Sequence, residues 1–240
     1  MFDLSQRAAV VTGATGNLGR AVVRAYLEAG ASVAIPVRDL GKGHSLRAEL
    51  GELAGTPDGP RLLVLEADPA DREAMERAVE TVLRAWGRLD VLANLAGGHG
   101  TGPATDLDAV QRQWDQNVRT ALTATAACLR PMRARGYGRI VSMGAFSAQR
   151  GTKDASGYAM AKTAIVRWTE SLAAELRGEG ITANVVMPLA IDTPENRAAM
   201  PKADPKKWAS PDEVAAVILF LSSDEASGVT GAAIPVTARA

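Results

Sequence analysis

Cysteine is almost missing: Cys128 is the single one in 240 residues, so no disulfide can close within the chain. That usage belongs to a reducing compartment, and the cytoplasm is the expected location. No run of about 18 apolar residues occurs, so no membrane-spanning helix is expected. No apolar stretch behind a basic n-region opens the sequence, so no secretory signal is expected either. An excess of charge is lacking too, since Lys+Arg and Asp+Glu are both 27 and the net charge is +0. Such a surface has no global field to collect nucleic acid or an acidic membrane, and neither is an expected partner. Repeats and low-complexity segments are absent, and the Gly/Pro-rich stretches at 51–60 and 97–103 have the lengths of loops.

What is present is alternation. Short apolar runs near 8–11, 32–37, 62–65, 91–94, 140–143, 183–187 and 233–236 read as strands. Longer helical patterns cover 17–29, 43–53, 72–86, 107–134, 158–177 and 211–221. Strands that are apolar at successive positions are buried on both faces. Repeated βα units of this kind predict an α/β fold with a doubly wound parallel sheet of about seven strands. A chain of this length buries roughly 70–75% of its unfolded surface as one domain over 1–240, whereas two domains would each be thin. Ligands of such sheets sit at the carboxyl ends of the strands, so function is expected just after each one.

The first such turn is Thr12-Gly13-Ala14-Thr15-Gly16-Asn17-Leu18-Gly19. Gly13 and Gly16 allow a tight turn and close backbone approach, and the following helix N-terminus offers N–H groups to a pyrophosphate. After the second strand an NAD site wants an acid aimed at the ribose hydroxyls. Val37 stands there, followed by Arg38. A guanidinium can hold a 2′-phosphate, which favours NADPH; the alternative is a solvated loop charge beside Asp39. Asp68 either accepts from an adenine amino group or caps the next helix. The small residues of Asn94-Leu95-Ala96-Gly97-Gly98 let a loop lie against a flat cofactor, and His99 follows, either as a solvated loop residue or as a catalytic one.

Tyr158 and Lys162 stand four apart on one predicted helix and share a face. A phenol near pKa 10 relays protons poorly at neutral pH. A neighbouring ammonium is expected to pull that value down and make Tyr158 a general acid. Taken alone, the pair reads first as a core tyrosine and a solvated lysine on an amphipathic helix.

Together and in this order, the turn at 12–19, Asn94-Leu95-Ala96-Gly97, Asn117 and Tyr158 with Lys162 resemble the short-chain dehydrogenase/reductase family along essentially the whole chain. The resemblance implies a Rossmann-type domain, a homo-oligomer (tetramer or dimer), transferring hydride between a nicotinamide and a small-molecule substrate, with no metal. It implies that Tyr158 is the proton donor, that Lys162 holds the nicotinamide ribose, and that Asn117 anchors a water relay. Cofactor contacts are implied for Gly13, Thr15, Asn17, Leu18, Gly19, Asn94, Ala96 and Gly97. Pro188, Ile191 and Thr193 match the segment that grips the carboxamide, with Leu189 where a glycine is usual. The stretch 227–231 matches as well, while the usual Asp-Gly-Gly finish is missing at 236–240.

Two departures matter. The middle glycine of the turn is Gly16, one residue ahead of the usual place at Asn17. The serine that stands thirteen residues before the tyrosine is Ala145 here. Losing one hydrogen-bond donor to a substrate oxygen costs roughly 10²–10³ in rate. Ser147 is the nearer replacement and Ser142 the poorer one. Dihydropteridine reductases, a branch without that serine, resemble this chain in the glycine turn, in Ala145, in Tyr158-Ala159-Met160-Ala161-Lys162, and in the stretch 192–208, an expected substrate lid. A quinonoid pterin develops little oxyanion and has no need of the serine. The expected function is thus NAD(P)H-dependent reduction of a small planar C=N or C=O substrate, including a quinonoid dihydropterin. The alternatives are a 3-oxoacyl or ketone reductase and a non-catalytic NADP-binding regulatory module.

Overall fold

The computed structural model describes residues 2–56, 59–151 and 153–239. Met1, Pro57, Asp58, Thr152 and Ala240 lie outside the described residues, and with them parts of the 51–60 loop, the stretch before Tyr158 and the C-terminal finish. Among the described residues seven strands form one sheet: β1 (Ala8–Thr12), β2 (Ser32–Val37), β3 (Leu62–Glu66), β4 (Val91–Asn94), β5 (Gly138–Met143), β6 (Ile181–Pro188) and β7 (Ala233–Val236). All pairs are parallel and the order is β3-β2-β1-β4-β5-β6-β7. The chain runs outward from β1 on one side, then returns to build β4 on the other, so the order reverses between β1 and β4. That reversal opens a crevice at the carboxyl ends. Register lines the crevice floor: Thr12 lies opposite Asn94, and Asn94 opposite Ser142.

The helices are α1 (Asn17–Glu28), α2 (Leu40–Leu50), α3 (Arg72–Trp86), α4 (Leu107–Trp114), α5 (Thr120–Arg135), α6 (Ser156–Glu175), α7 (Pro194–Ala199) and α8 (Pro211–Ser222). Both faces of the sheet are covered. In β1, Ala9 and Val11 pack with Val22 and Tyr26 of α1 and Ile218 of α8, while Ala8 and Val10 pack with Met75 of α3 and Met132 of α5. The larger of these side chains, such as Val11, Met75 and Ile218, each contribute about 1.5–3 kcal/mol by leaving water, and burial on both faces is why the strands read as continuous apolar runs. The Tyr26 hydroxyl finds Ser222 Oγ at 2.6 Å, so the α1–α8 contact buries no unpaired phenol. Burial pushes the Cys128 thiol up to about 12, leaving that side chain a packing role.

Two helices differ from expectation. The helix expected over 43–53 begins at Leu40, because Asp39 caps it by accepting the Lys42 N–H at 3.2 Å. The single helix expected over 107–134 is broken into α4 and α5 by a π turn at Asp115–Arg119. The cause is a side chain: Asn117 Nδ2 donates to the Gln113 carbonyl at 3.0 Å, taking the i−4 acceptor that a backbone N–H would use.

Candidate active site

β1 delivers Thr12 to the crevice, where its hydroxyl oxygen accepts the backbone N–H groups of Leu95 and Ala96, each at 3.1 Å. This fastens the end of β1 to the loop after β4, a role for Thr12 that sequence reasoning missed. Only a hydroxyl just ahead of the first glycine could have signalled it. Gly13 follows with φ +67°, and a Cβ there would fall 2.7 Å from the backbone of Leu95 and Ala96. Gly19 is equally constrained, since its Cβ would strike the Gly13 carbonyl and Ala14. Gly16 is not: a Cβ on it would meet only the Gly13 carbonyl, at 3.5 Å. The tight turn therefore depends on Gly13 and Gly19, a correction to the reading that gave this work to Gly13 and Gly16.

Gly16 instead keeps a doorway clear. It is the exposed N-cap of α1 and supplies no side-chain cap, so the N–H groups of the first turn, bordered by Thr15, Asn17 and Leu18, stay available to an anion. Across this mouth Asn17 Nδ2 donates to Glu195 Oε2 of α7 at 2.6 Å, a contact no spacing foretold. At the end of β2, Val37 is buried and Arg38 exposed, while Asp39 is engaged in capping α2. Asp68 is not a helix cap. Its Oδ1 accepts the Ala70 N–H at 2.9 Å in a turn, and Asp71 caps α3 by accepting the Ala74 N–H at 3.1 Å.

α6 carries the reactive pair. Lys162 is 4% exposed and donates to the Met143 carbonyl, at the end of β5, at 2.9 Å. Its Nζ lies 5.7 Å from the centroid of the half-buried Tyr158 ring. Burial pulls the Lys162 ammonium down to about 8 and pushes the Tyr158 phenol up to about 12. The expected lowering of the phenol by Lys162 is not found: burial of the ring raises it. At neutral pH the pair is a protonated phenol and a mostly charged amine.

The loop after β4 closes over this pair. Gly97 has φ +152°, and a Cβ there would lie 2.5 Å from Asn117 Oδ1 and 3.6 Å from Lys162 Nζ. Asn117, 1% exposed, receives the Gly98 N–H on Oδ1 at 3.2 Å and donates from Nδ2 to the Gly98 carbonyl at 3.1 Å. One amide thus fixes both the helix break and the loop. His99 comes next, its ring edge-on to Tyr158 with centroids 4.9 Å apart. Asn94 works beneath, where its Nδ2 donates to Thr125 Oγ1 at 2.9 Å and fastens β4 to α5.

No serine stands beside the phenol in the expected way. Ala145 is buried on extended backbone. Ser142 is 0% exposed and lies within reach of the Asn94 amide at 3.5 Å, so it belongs to the sheet. Ser147 Oγ is covered and has no hydrogen-bond partner among the described residues, so a substrate would reach it only after its neighbours shift.

At the end of β6, Pro188 is buried and Leu189 is 44% exposed. Ile191 bridges to Ala209, and the Asp192 N–H donates to the Ala209 carbonyl at 2.8 Å, closing the 192–208 excursion at its neck. Inside it Thr193 caps α7 by accepting the Asn196 N–H at 3.2 Å, and Arg197 grips Asp192 through two bonds of 2.6 and 2.7 Å. The excursion is braced by its own side chains.

The residues fit a dinucleotide. The Lys162 ammonium has three N–H donors and, among the described residues, one protein acceptor, and the exposed Gly16 leaves the first turn of α1 without a side-chain cap. No group of three His, Cys, Asp or Glu that could hold a metal, and no helix long and apolar enough to cross a membrane, occurs among the described residues.

Comparison with known proteins agrees. The family model described as enoyl-(acyl carrier protein) reductase matches residues 13–238. The cis-4-hydroxycyclohexanecarboxylate dehydrogenase of Sinomonas cyclohexanicum is 34% identical, covering 97% of this chain and 95% of its own. The NAD-dependent glycerol dehydrogenase of Listeria innocua is 30% identical, covering 96% and 92%. A short-chain type dehydrogenase/reductase from Mycobacterium ulcerans superposes with a TM-score of 0.91 at 28% identity, over 99% of this chain and 90% of that one. With that family model over residues 13–238 and a relative 34% identical over 97% of the chain, this chain belongs to the short-chain dehydrogenase/reductase family of NAD(P)-dependent oxidoreductases.

Proposed function

We propose that this chain interconverts a carbonyl and a hydroxyl group on a small molecule, using NADP(H), with Tyr158 as the proton donor. The observation that carries this is the α6 pair: a protonated phenol beside a buried ammonium with N–H donors to spare. A nicotinamide held there would supply the hydride. Tyr158 gives its proton to the oxygen that gains charge, and Lys162, with a water relay at Asn117, restores it. A pKa of about 12 keeps the phenol loaded at neutral pH, which suits reduction. Oxidation needs the phenolate and should gain with rising pH.

The turn at Gly13, Thr15, Asn17, Leu18 and Gly19 holds the pyrophosphate, and Lys162 holds the ribose. Ala96 and Gly97 flank the ring, Asn94 keeps their strand end in place, and Pro188, Ile191 and Thr193 border the carboxamide. Asp68 serves the adenine, and Arg38 favours the 2′-phosphate because the acid next to it is engaged in capping α2. Residues 192–208 act as the lid, two or four copies assemble, and the lone, buried Cys128 suits the cytoplasm. The Sinomonas and Listeria relatives are named for dehydrogenation of hydroxylated compounds, which supports C=O chemistry and gives no support to a dihydropterin. The test follows NADPH and NADH oxidation against ketones and 3-oxoacyl thioesters, with secondary alcohols in reverse. Turnover with at least one carbonyl, faster with NADPH, is expected, and Arg38→Ala should cut the NADPH preference about tenfold or more. A chain that moves no hydride with any of them is not this enzyme.

A further inference from the structure

We infer that His99 supplies the substrate hydrogen bond that Ala145 cannot, standing with Tyr158 as the second donor to the reacting oxygen. The inference rests on the reductase reading and names the group that completes its site. It starts from the glycines of the loop. A Cβ on Gly98 would lie 2.5 Å from Gln116 Nε2, one on Gly100 would strike Gln113 Nε2, and one on Gly102 would lie 2.9 Å from the Ala109 side chain. Alternate residues thus lie against α4 and the π turn, Gly98 and Gly100 beneath the amide ends of Gln116 and Gln113 and Gly102 against the Ala109 methyl. Between the first two of them stands His99, with its ring against Tyr158 on α6, centroids 4.9 Å apart and planes at 69°.

The loop is held at both ends. Asn117 binds the N–H and carbonyl of Gly98, and the Gly102 N–H donates to the Asp154 carbonyl at 2.8 Å. His99 is therefore presented by a fastened segment, yet its side chain is exposed and open to a ligand. An imidazole carries an N–H donor in its neutral and its charged form alike. The hydroxyls that the sequence offers in place of Ala145 are committed or covered: Ser142 lies in the sheet and Ser147 Oγ is shut in. In the reaction, hydride goes from the nicotinamide to the carbonyl carbon and the Tyr158 proton goes to the oxygen. His99 donates a hydrogen bond to that oxygen and keeps its own proton.

The test uses the full chain with NADPH and the best ketone from the panel above. His99→Phe keeps an aromatic ring against Tyr158 and removes both nitrogens. Its kcat should fall by about 10²–10³, the cost of one lost donor to a developing oxyanion. His99→Asn or His99→Gln, which retain an N–H, should recover part of that loss. Adding Ala145→Ser to His99→Phe should recover at least tenfold. His44→Ala, on the exposed face of α2, should change nothing. A His99→Phe enzyme as fast as the starting chain reduces His99 to packing and overturns the inference while leaving the Tyr158 reading intact. Failure of Ala145→Ser to restore any of the lost rate overturns it too. A starting chain inert on the whole panel removes the reductase reading and this inference with it.

Discussion

Lys162 sits in the protein with a charge that the protein does little to satisfy: 4% exposed, one backbone acceptor, and a pKa drawn down to about 8 from 10.5. A displacement of that size amounts to a penalty on the order of 3 kcal/mol against the charged form. The sign is fixed by linkage. The folded state binds the proton less tightly than the unfolded state, so the penalty is complete below pH 8 and fades as pH rises toward 10.5. Lys162→Met removes the penalty and leaves the Met143 carbonyl unpaired, at about 1–3 kcal/mol. The variant should be more stable than the starting chain by about 1 kcal/mol at pH 7, with that advantage gone by pH 10.5. Denaturant titrations at both values check it, and a loss of stability at pH 7 would contradict it. Activity should collapse in the same variant, because a group held at a cost to folding is retained for what it binds.

The glycine turn separates two kinds of glycine that look alike in the sequence. Gly13 is forced by φ +67° and by backbone 2.7 Å from its absent Cβ, whereas Gly16 has ordinary φ and space. Gly13→Ala should destabilise by about 2 kcal/mol or more, and Gly16→Ala should stay within about 1 kcal/mol. Thermal unfolding of the two variants decides; equal losses would mean that the turn is shaped otherwise. The strands were legible because burial on both faces leaves continuous apolar runs, and β2 and β4 fall where the runs do. The break in the 107–134 helix was not legible, since it arises from one Asn117 amide competing for a carbonyl four residues back. Nor was the early start of α2, where Asp39 reads only as a charge beside Arg38 and not as a cap. Within the site, the Tyr158–Lys162 face could be read from spacing. The direction of the phenol's shift could not, because it depends on burial that only the folded chain supplies. Thr12, Glu195 and the Met143 carbonyl escaped for the same reason: their partners lie 83, 178 and 19 residues away.

Across the whole molecule, α7 reaches from the far side of the crevice to set the Glu195 carboxylate against Asn17 at the mouth of α1. A carboxylate there draws on the same helix dipole as a pyrophosphate and repels its charge. Glu195→Ala should tighten NADPH binding about three- to tenfold at low salt, by fluorescence titration, and the gain should shrink as salt screens the charge. Weaker binding would show that the contact assists the cofactor. Order reversal at β1 and β4, a loop fastened by Asn117, and α6 laid over β5 and β6 converge on one phenol. The decisive measurement is NADPH oxidation at pH 7 by Tyr158→Phe, on whichever carbonyl the starting chain reduces, alongside NADPH binding. Loss of a general acid predicts turnover lower by about 10²–10⁴ with binding retained. Unchanged turnover would contradict the account.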